Sequence, residues 1–115
     1  MSTPIAHYSA SHRAGGLLFV SGQIGLRDGA LVEGGVEAEA RQCLANLESV
    51  VVAAGAALTD IAKCTVFMTD IADFAAVNAV YAEVFGDHRP ARSAIAVRAL
   101  PLGAQVEIEA FAVLG

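Results

Sequence analysis

Between Val36 and Ala54 the apolar residues Val36, Ala40, Cys43, Leu44, Leu47, Val50, Val51 and Ala54 return every three or four positions, with Glu37, Glu39, Arg41 and Glu48 on the other side. That period is a helix with one buried stripe, and such a helix needs an apolar surface to lie on. The early acids suit its N-terminal end, and Gly55 stops it. Phe74, Val77, Tyr81, Val84 and Phe85 repeat the pattern after a cap at Asp70 to Asp73, and Gly86 ends it. Between the two helices, Ile61 to Thr69 alternates instead. Cys64, Val66 and Met68 share one face and Lys63, Thr65 and Phe67 the other, which is the signature of a central strand.

Short β-rich runs surround this α-β-α centre. Leu17 to Ser21 is entered through Gly15-Gly16 and left through Gly22, and Ile24 to Val32 carries the hairpin signal Asp28-Gly29, so two paired strands are expected to begin the fold. Thr59-Asp60 is a turn, and Asp87-His88-Arg89-Pro90 is a polar linker. Ser93 to Val97 and Val106 to Leu114 are the last two strands, with a turn at Pro101 and Gly103 between them. The elements run in the order ββαβαββ. The expected architecture is α+β, a two-layer sandwich of a mixed six-stranded sheet with both helices on one face, in one domain over residues 1–115. The second sheet face is then left bare. A composition that is 56% hydrophobic and 17% charged is apolar for 115 residues, so that face is expected to be covered by further copies of the chain.

Charge and composition exclude several function classes. The formal charge is -5, from 7 basic and 12 acidic residues without a Lys/Arg cluster, which is the wrong balance for neutralising phosphates, so no nucleic-acid partner is expected. The longest uncharged stretches, Ala14 to Leu26 and Ser49 to Thr59, fall short of the roughly 20 apolar residues of a membrane-spanning helix. The start, Met1 to His7, has no basic-then-apolar pattern, and a cytoplasmic location without membrane association is the expectation. Cys43 and Cys64 fall within periodic segments and read as reduced, buried small hydrophobes. His7, His12 and His88 lack metal-ligand spacing, and the glycines around Gln23 match no phosphate-binding loop.

The chemistry-bearing stretch runs from Arg89 to Phe111. Arg92 stands in Arg89-Pro90-Ala91-Arg92-Ser93, and Glu107 and Glu109 share one face of the last strand. The residues alone leave two readings open. The glutamates can be solvated rim charges pairing with Arg92 or Arg98 across a hairpin. Alternatively, Arg92 holds an anionic substrate in its planar two-pronged geometry, and a glutamate in a partly dry cleft moves protons. Asn78, within the buried period of the second helix, needs a hydrogen-bond partner.

Taken together, Tyr8-Ser9, Leu18-Phe19-Val20-Ser21-Gly22-Gln23-Ile24, Thr65-Val66-Phe67, Phe74-Ala75-Ala76-Val77-Asn78, Pro90-Ala91-Arg92-Ser93 and Val106-Glu107-Ile108-Glu109-Ala110 resemble the RidA (YjgF) family over about Tyr8 to Val113. The resemblance implies a chorismate-mutase-like fold and a homotrimer with clefts between subunits. It implies hydrolysis of reactive enamine/imine acids to 2-oxo acids and ammonia, without metal or cofactor. Arg92 would bind the substrate carboxylate and Glu107, rather than Glu109, would position or activate water. Tyr8 would line the cleft, Gly22 and Ala94 would offer backbone groups, and Asn78 would support the site. The chain departs from the family pattern at Ala94, where many relatives carry cysteine, which removes a thiol from that position. A non-catalytic binder or sensor of small carboxylates is the alternative implied by the same cleft, and a ribonuclease fits the acidic charge poorly.

Overall fold

The structure is a computed structural model, and it describes Pro4 and residues 6–115. Strands β1 (Ser11–Ala14) and β2 (Leu17–Gln23) turn through Gly15-Gly16, and a small ribbon of β3 (Leu26–Arg27) and β4 (Ala30–Leu31) follows. Helix α1 (Gly35–Ala53), β5 (Ile61–Met68), α2 (Phe74–Phe85), β6 (Ala91–Ala96) and β7 (Val106–Val113) complete the chain. The main sheet has the order β1-β2-β7-β5-β6, in which β5 and β6 are parallel and the other neighbours antiparallel. The parallel pair follows from α2, which carries the chain back across the sheet before β6 begins.

Both helices pack on one sheet face, as the stripes require. Leu44, Leu47, Val51, Val77 and Val80 meet Leu18, Val66, Ile108 and Ala110 in one core. Cys43 and Cys64 are buried in that core, and the Cys43 thiol donates to the Val106 carbonyl at 3.5 Å.

Three expectations need correction. The sheet has five strands rather than six, because the Asp28-Gly29 hairpin forms its own two-stranded ribbon. The sheet's opening pair is instead β1 with β2. The residues of β1, Ser-His-Arg-Ala, are mostly exposed, so they carry no apolar alternation to announce a strand. Finally, β6 and β7 are not a hairpin. Strand β5 lies between them, so neither Glu107 nor Glu109 faces Arg92 across a turn.

One residue of α1 also departs from its stripe. Glu39 was expected on the outer side, yet it is buried, and its Oε1 accepts a hydrogen bond from the Gln105 backbone N–H at 2.9 Å. It ties the loop before β7 to the helix. The approach is close enough that Gly25, beside it, has no room for a side chain: a Cβ there would lie 2.9 Å from the Glu39 Cα and 3.0 Å from its carbonyl oxygen. Those neighbours are backbone and cannot swing aside. Gly25→Ala is therefore expected to lower unfolding stability by about 1–3 kcal/mol, the usual range for overpacking, in a denaturant titration, and an unchanged midpoint would contradict this packing.

Candidate active site

The alternation of β7 decides where its charges point. Val106, Ile108, Ala110 and Ala112 are buried under the helices, while Glu107, Glu109, Phe111 and Val113 face the other side of the sheet. On that open face Glu107 stands opposite Phe67, and Glu109 opposite Thr65.

Glu107 meets β2 at an irregularity. Between Val20 and Gln23 the register with β7 shifts, and Gly22 falls in that bulge. A Cβ on Gly22 would lie 2.8 Å from the Glu107 Cδ, so glycine is what lets the carboxylate sit against the β2 backbone. The Ser21 side of the bulge anchors the N-terminal segment. Its Oγ donates to the Ser9 carbonyl at 2.7 Å, and its N–H to the Ala10 carbonyl at 2.9 Å. Tyr8, Glu107 and Gly22 line one small groove of about 80 Å³, together with Pro101 and Leu102. Burial raises the Glu107 pKa above its ordinary value, and the neighbouring Glu109 charge adds to the rise.

Arg92 belongs to the opposite sheet face. It pairs in register with Cys64 and Ala94 with Val66, both of which point toward the helices. Strand β6 is the sheet edge, so α2 covers these positions only partly and both are half-buried. The guanidinium is held from three sides. Its Cζ lies 4.7 Å from the centroid of the Tyr81 ring and 5.5 Å from that of Phe74, and Nη1 donates to Asn78 Oδ1 at 2.8 Å. Cation–π contacts and a neutral acceptor fix the group without cancelling its charge. Ala94 sits beside it in a shallow apolar recess with Val66, Met68, Phe74 and Val77.

The predicted residues thus fall into two groups. Tyr8, Gly22 and Glu107 converge on one face, and Arg92, Asn78 and Ala94 converge at the edge of the other. Within one chain the two groups do not meet.

Phe74 and Tyr81 join the site from α2, where periodicity marks them only as part of an apolar stripe. The available signal was spacing: Phe74, Asn78 and Tyr81 stand at i, i+4 and i+7, one face of α2. Burial pushes the Tyr81 phenol well above its ordinary pKa, and its hydroxyl is buried without a formed hydrogen bond. Its contribution here is the ring face.

Residues 1–114 match the family described as Endoribonuclease L-PSP. Protein mmf1 of Schizosaccharomyces pombe, a mitochondrial protein, is 45% identical over 108 residues, 91% of this chain and 67% of that one. The 2-iminobutanoate/2-iminopropanoate deaminase of Capra hircus is 46% identical over 113 residues, 96% of this chain and 82% of the relative. Among solved structures, E. coli TdcF with bound serine superposes with a TM-score of 0.93 at 40% identity, covering 98% of this chain and 92% of TdcF. With the matched family spanning almost every residue and the fold agreeing at that level, the chain belongs to the YjgF/RidA family of L-PSP proteins.

Proposed function

We propose that this chain hydrolyses reactive 2-imino acids, and the enamines in equilibrium with them, to 2-oxo acids and ammonia, in a cleft completed by a second copy of itself. The observation that carries the reading is the division of the site: a guanidinium held without a carboxylate partner on one face, and a carboxylate of raised pKa on the other. Each is half of a site for a small organic acid. The deaminase named among the relatives supports the reaction class, and the serine on TdcF supports recognition of a small α-carboxylate.

What brings the halves together is the open sheet face. Leu17, Phe19, Phe111 and Val113 cluster there on adjacent strands, each at least 39% exposed, with the Phe19 and Phe111 rings 5.4 Å apart edge to face. Ile95 extends the apolar surface onto β6. Burying such a surface against like faces in a homotrimer around a central axis would carry the Glu107 side of one protomer toward the β6 edge, with Arg92, of the next.

In that cleft Arg92 takes the substrate carboxylate through the guanidinium edge not used by Asn78. Tyr8 forms the wall near Glu107, and the Gly22 and Ala94 backbones offer polar groups to the substrate. Glu107 takes a proton from a water as its oxygen adds to the imine carbon and passes it to nitrogen, giving a carbinolamine; it then takes the hydroxyl proton and delivers it to the same nitrogen as the carbon–nitrogen bond breaks, leaving the 2-oxo acid and ammonia. The imine carbon is already electrophilic, so positioning and proton transfer suffice.

Ammonia release from freshly generated 2-iminopropanoate tests the assignment. Arg92→Ala is expected to lower kcat/KM about 100-fold, the scale of a lost charge-assisted pair, and wild-type turnover in that variant would sink the proposal. Glu107→Gln, still oligomeric, is expected to slow turnover by roughly 100-fold or more.

The wild-type rate should rise with pH through an apparent pKa above the ordinary carboxylate range, because Glu107 must be ionised to accept the proton and burial raises its pKa. The same shift has a stability consequence. The folded state binds the Glu107 proton more tightly than the unfolded state does, so this group's contribution is present at low pH and is lost as pH rises through its raised pKa. Glu107→Gln should therefore gain thermal stability over the wild type at pH 7 and not at pH 4, measured by melting scans. The assembly is tested by Phe111→Asp, which puts a charge on the apolar face without touching the core. Sedimentation should show a folded monomer where the wild type is a trimer.

A second reading follows from the bound serine on TdcF, an amino acid and not an imine. A binding protein would take 2-oxobutanoate tightly in calorimetry and release no ammonia from any imine.

A further inference from the structure

The cavity beside Arg92 carries more positive charge than one carboxylate needs. It has a volume of about 490 Å³, and Asn78, Tyr81, His88, Arg89 and Arg92 are among the residues that line it. No aspartate or glutamate lines it. Among the described residues the one ion pair is Arg41 with Glu83, so neither Arg89 nor Arg92 is neutralised by a carboxylate. In a chain with 7 basic against 12 acidic residues, two arginines around one cavity without a counter-charge is a concentration of field that anions relieve.

The neighbours hold Arg89 at that rim. His88 Nε2 lies 2.7 Å from the Ile61 carbonyl, which ties the imidazole to the backbone at the start of β5, and its ring stands 6.1 Å from that of Phe85. Pro90 restricts the backbone on the other side. Arg89 itself is exposed, and among the described residues it forms no ion pair. Two residues, Pro90 and Ala91, separate it from Arg92, so their Cα atoms are at most about 11 Å apart. Two long side chains and an acid of four or five carbons fill that span.

We propose that Arg89 forms a second anion subsite, so that the substrates preferred by this chain are 2-imino dicarboxylic acids, with the α-carboxylate on Arg92 and the terminal carboxylate on Arg89. The inference rests on Arg92 being the carboxylate anchor of the function proposed above. The chemistry is unchanged at the reacting carbon. The water oxygen becomes the keto oxygen, the carbon–nitrogen double bond is broken, both water hydrogens end on the departing ammonia, and the distal carboxylate takes no part beyond binding.

Calorimetry with 2-oxoglutarate and 2-oxobutanoate tests the subsite independently of turnover. The wild type is expected to bind the dicarboxylate about fivefold more tightly at low salt, the upper range for an exposed ion pair, with the preference fading as ionic strength rises. Arg89→Gln should collapse that ratio to near one, and Arg89→Lys should restore part of it. A wild-type ratio near one, or a ratio unmoved by Arg89→Gln, would overturn the inference. Turnover separates the two proposals: the imine released by oxidation of aspartate should be hydrolysed with a higher kcat/KM than that from alanine, and Arg89→Gln should erase the difference. Hydrolysis of the alanine-derived imine with no preference for the other leaves the deaminase standing and the subsite refuted. Hydrolysis of neither, with the binding ratio intact, refutes the deaminase and keeps the two-anion site.

Discussion

Strand β7 is the constraint on which the rest of the structure depends. It is paired along both edges, to β2 and to β5, so its backbone hydrogen bonds are committed and its register is pinned on both sides. Shifting it by one residue would bring Glu107 and Glu109 into the helix-covered core and push Val106, Ile108, Ala110 and Ala112 out of it. Burying two carboxylates without partners opposes such a slip by several kcal/mol, on the order expected for unpaired buried charge. The strand that organises the core therefore also fixes where the candidate carboxylates point.

Placing a charge in the other layer raises a different problem. Arg92 points toward the helices from an edge strand, where complete burial would be prohibitive and complete exposure would leave the side chain mobile. The fold settles between these extremes. Phe74 and Tyr81 flank the guanidinium with ring faces, and Asn78 supplies one oriented acceptor. All of these contacts are neutral, so the group is ordered while its charge remains available to a ligand.

Much of this was legible in the sequence because it is periodic. The α1 stripe, the alternation of β5 and the two faces of β7 follow directly from residue spacing and agree with the structure, whereas in α2 the expected stripe residue Phe74 is exposed and the buried Val80 stood outside the stripe. Strand pairing is a long-range property and was harder to read. Nothing local in Arg92 to Glu107 reveals that β5 inserts between their strands, and a turn at Pro101 and Gly103 suggests a hairpin that does not form. The sequence of β1 is polar because it is an edge strand facing solvent, so its existence is visible only through its pairing with β2. Glu39 illustrates the same limit: a glutamate reads as surface until the loop at Gln105 arrives to bond it.

The separation of Arg92 from Glu107 has a chemical logic under the proposed function. Were both on one face of one chain and within reach, they would form an ion pair. The guanidinium would hold the Glu107 pKa down, reversing the rise that burial and Glu109 produce, and the carboxylate would occupy the donors meant for substrate. Putting the two on opposite sheet faces prevents that pairing within the chain. A cleft between protomers can then bring them to the two ends of a small acid without bringing them to each other, and the substrate carboxylate takes the place beside Arg92 that Glu107 would otherwise fill. On this view the bare apolar face is part of the site's electrostatics as well as of its assembly, since it sets the distance at which the two charges meet.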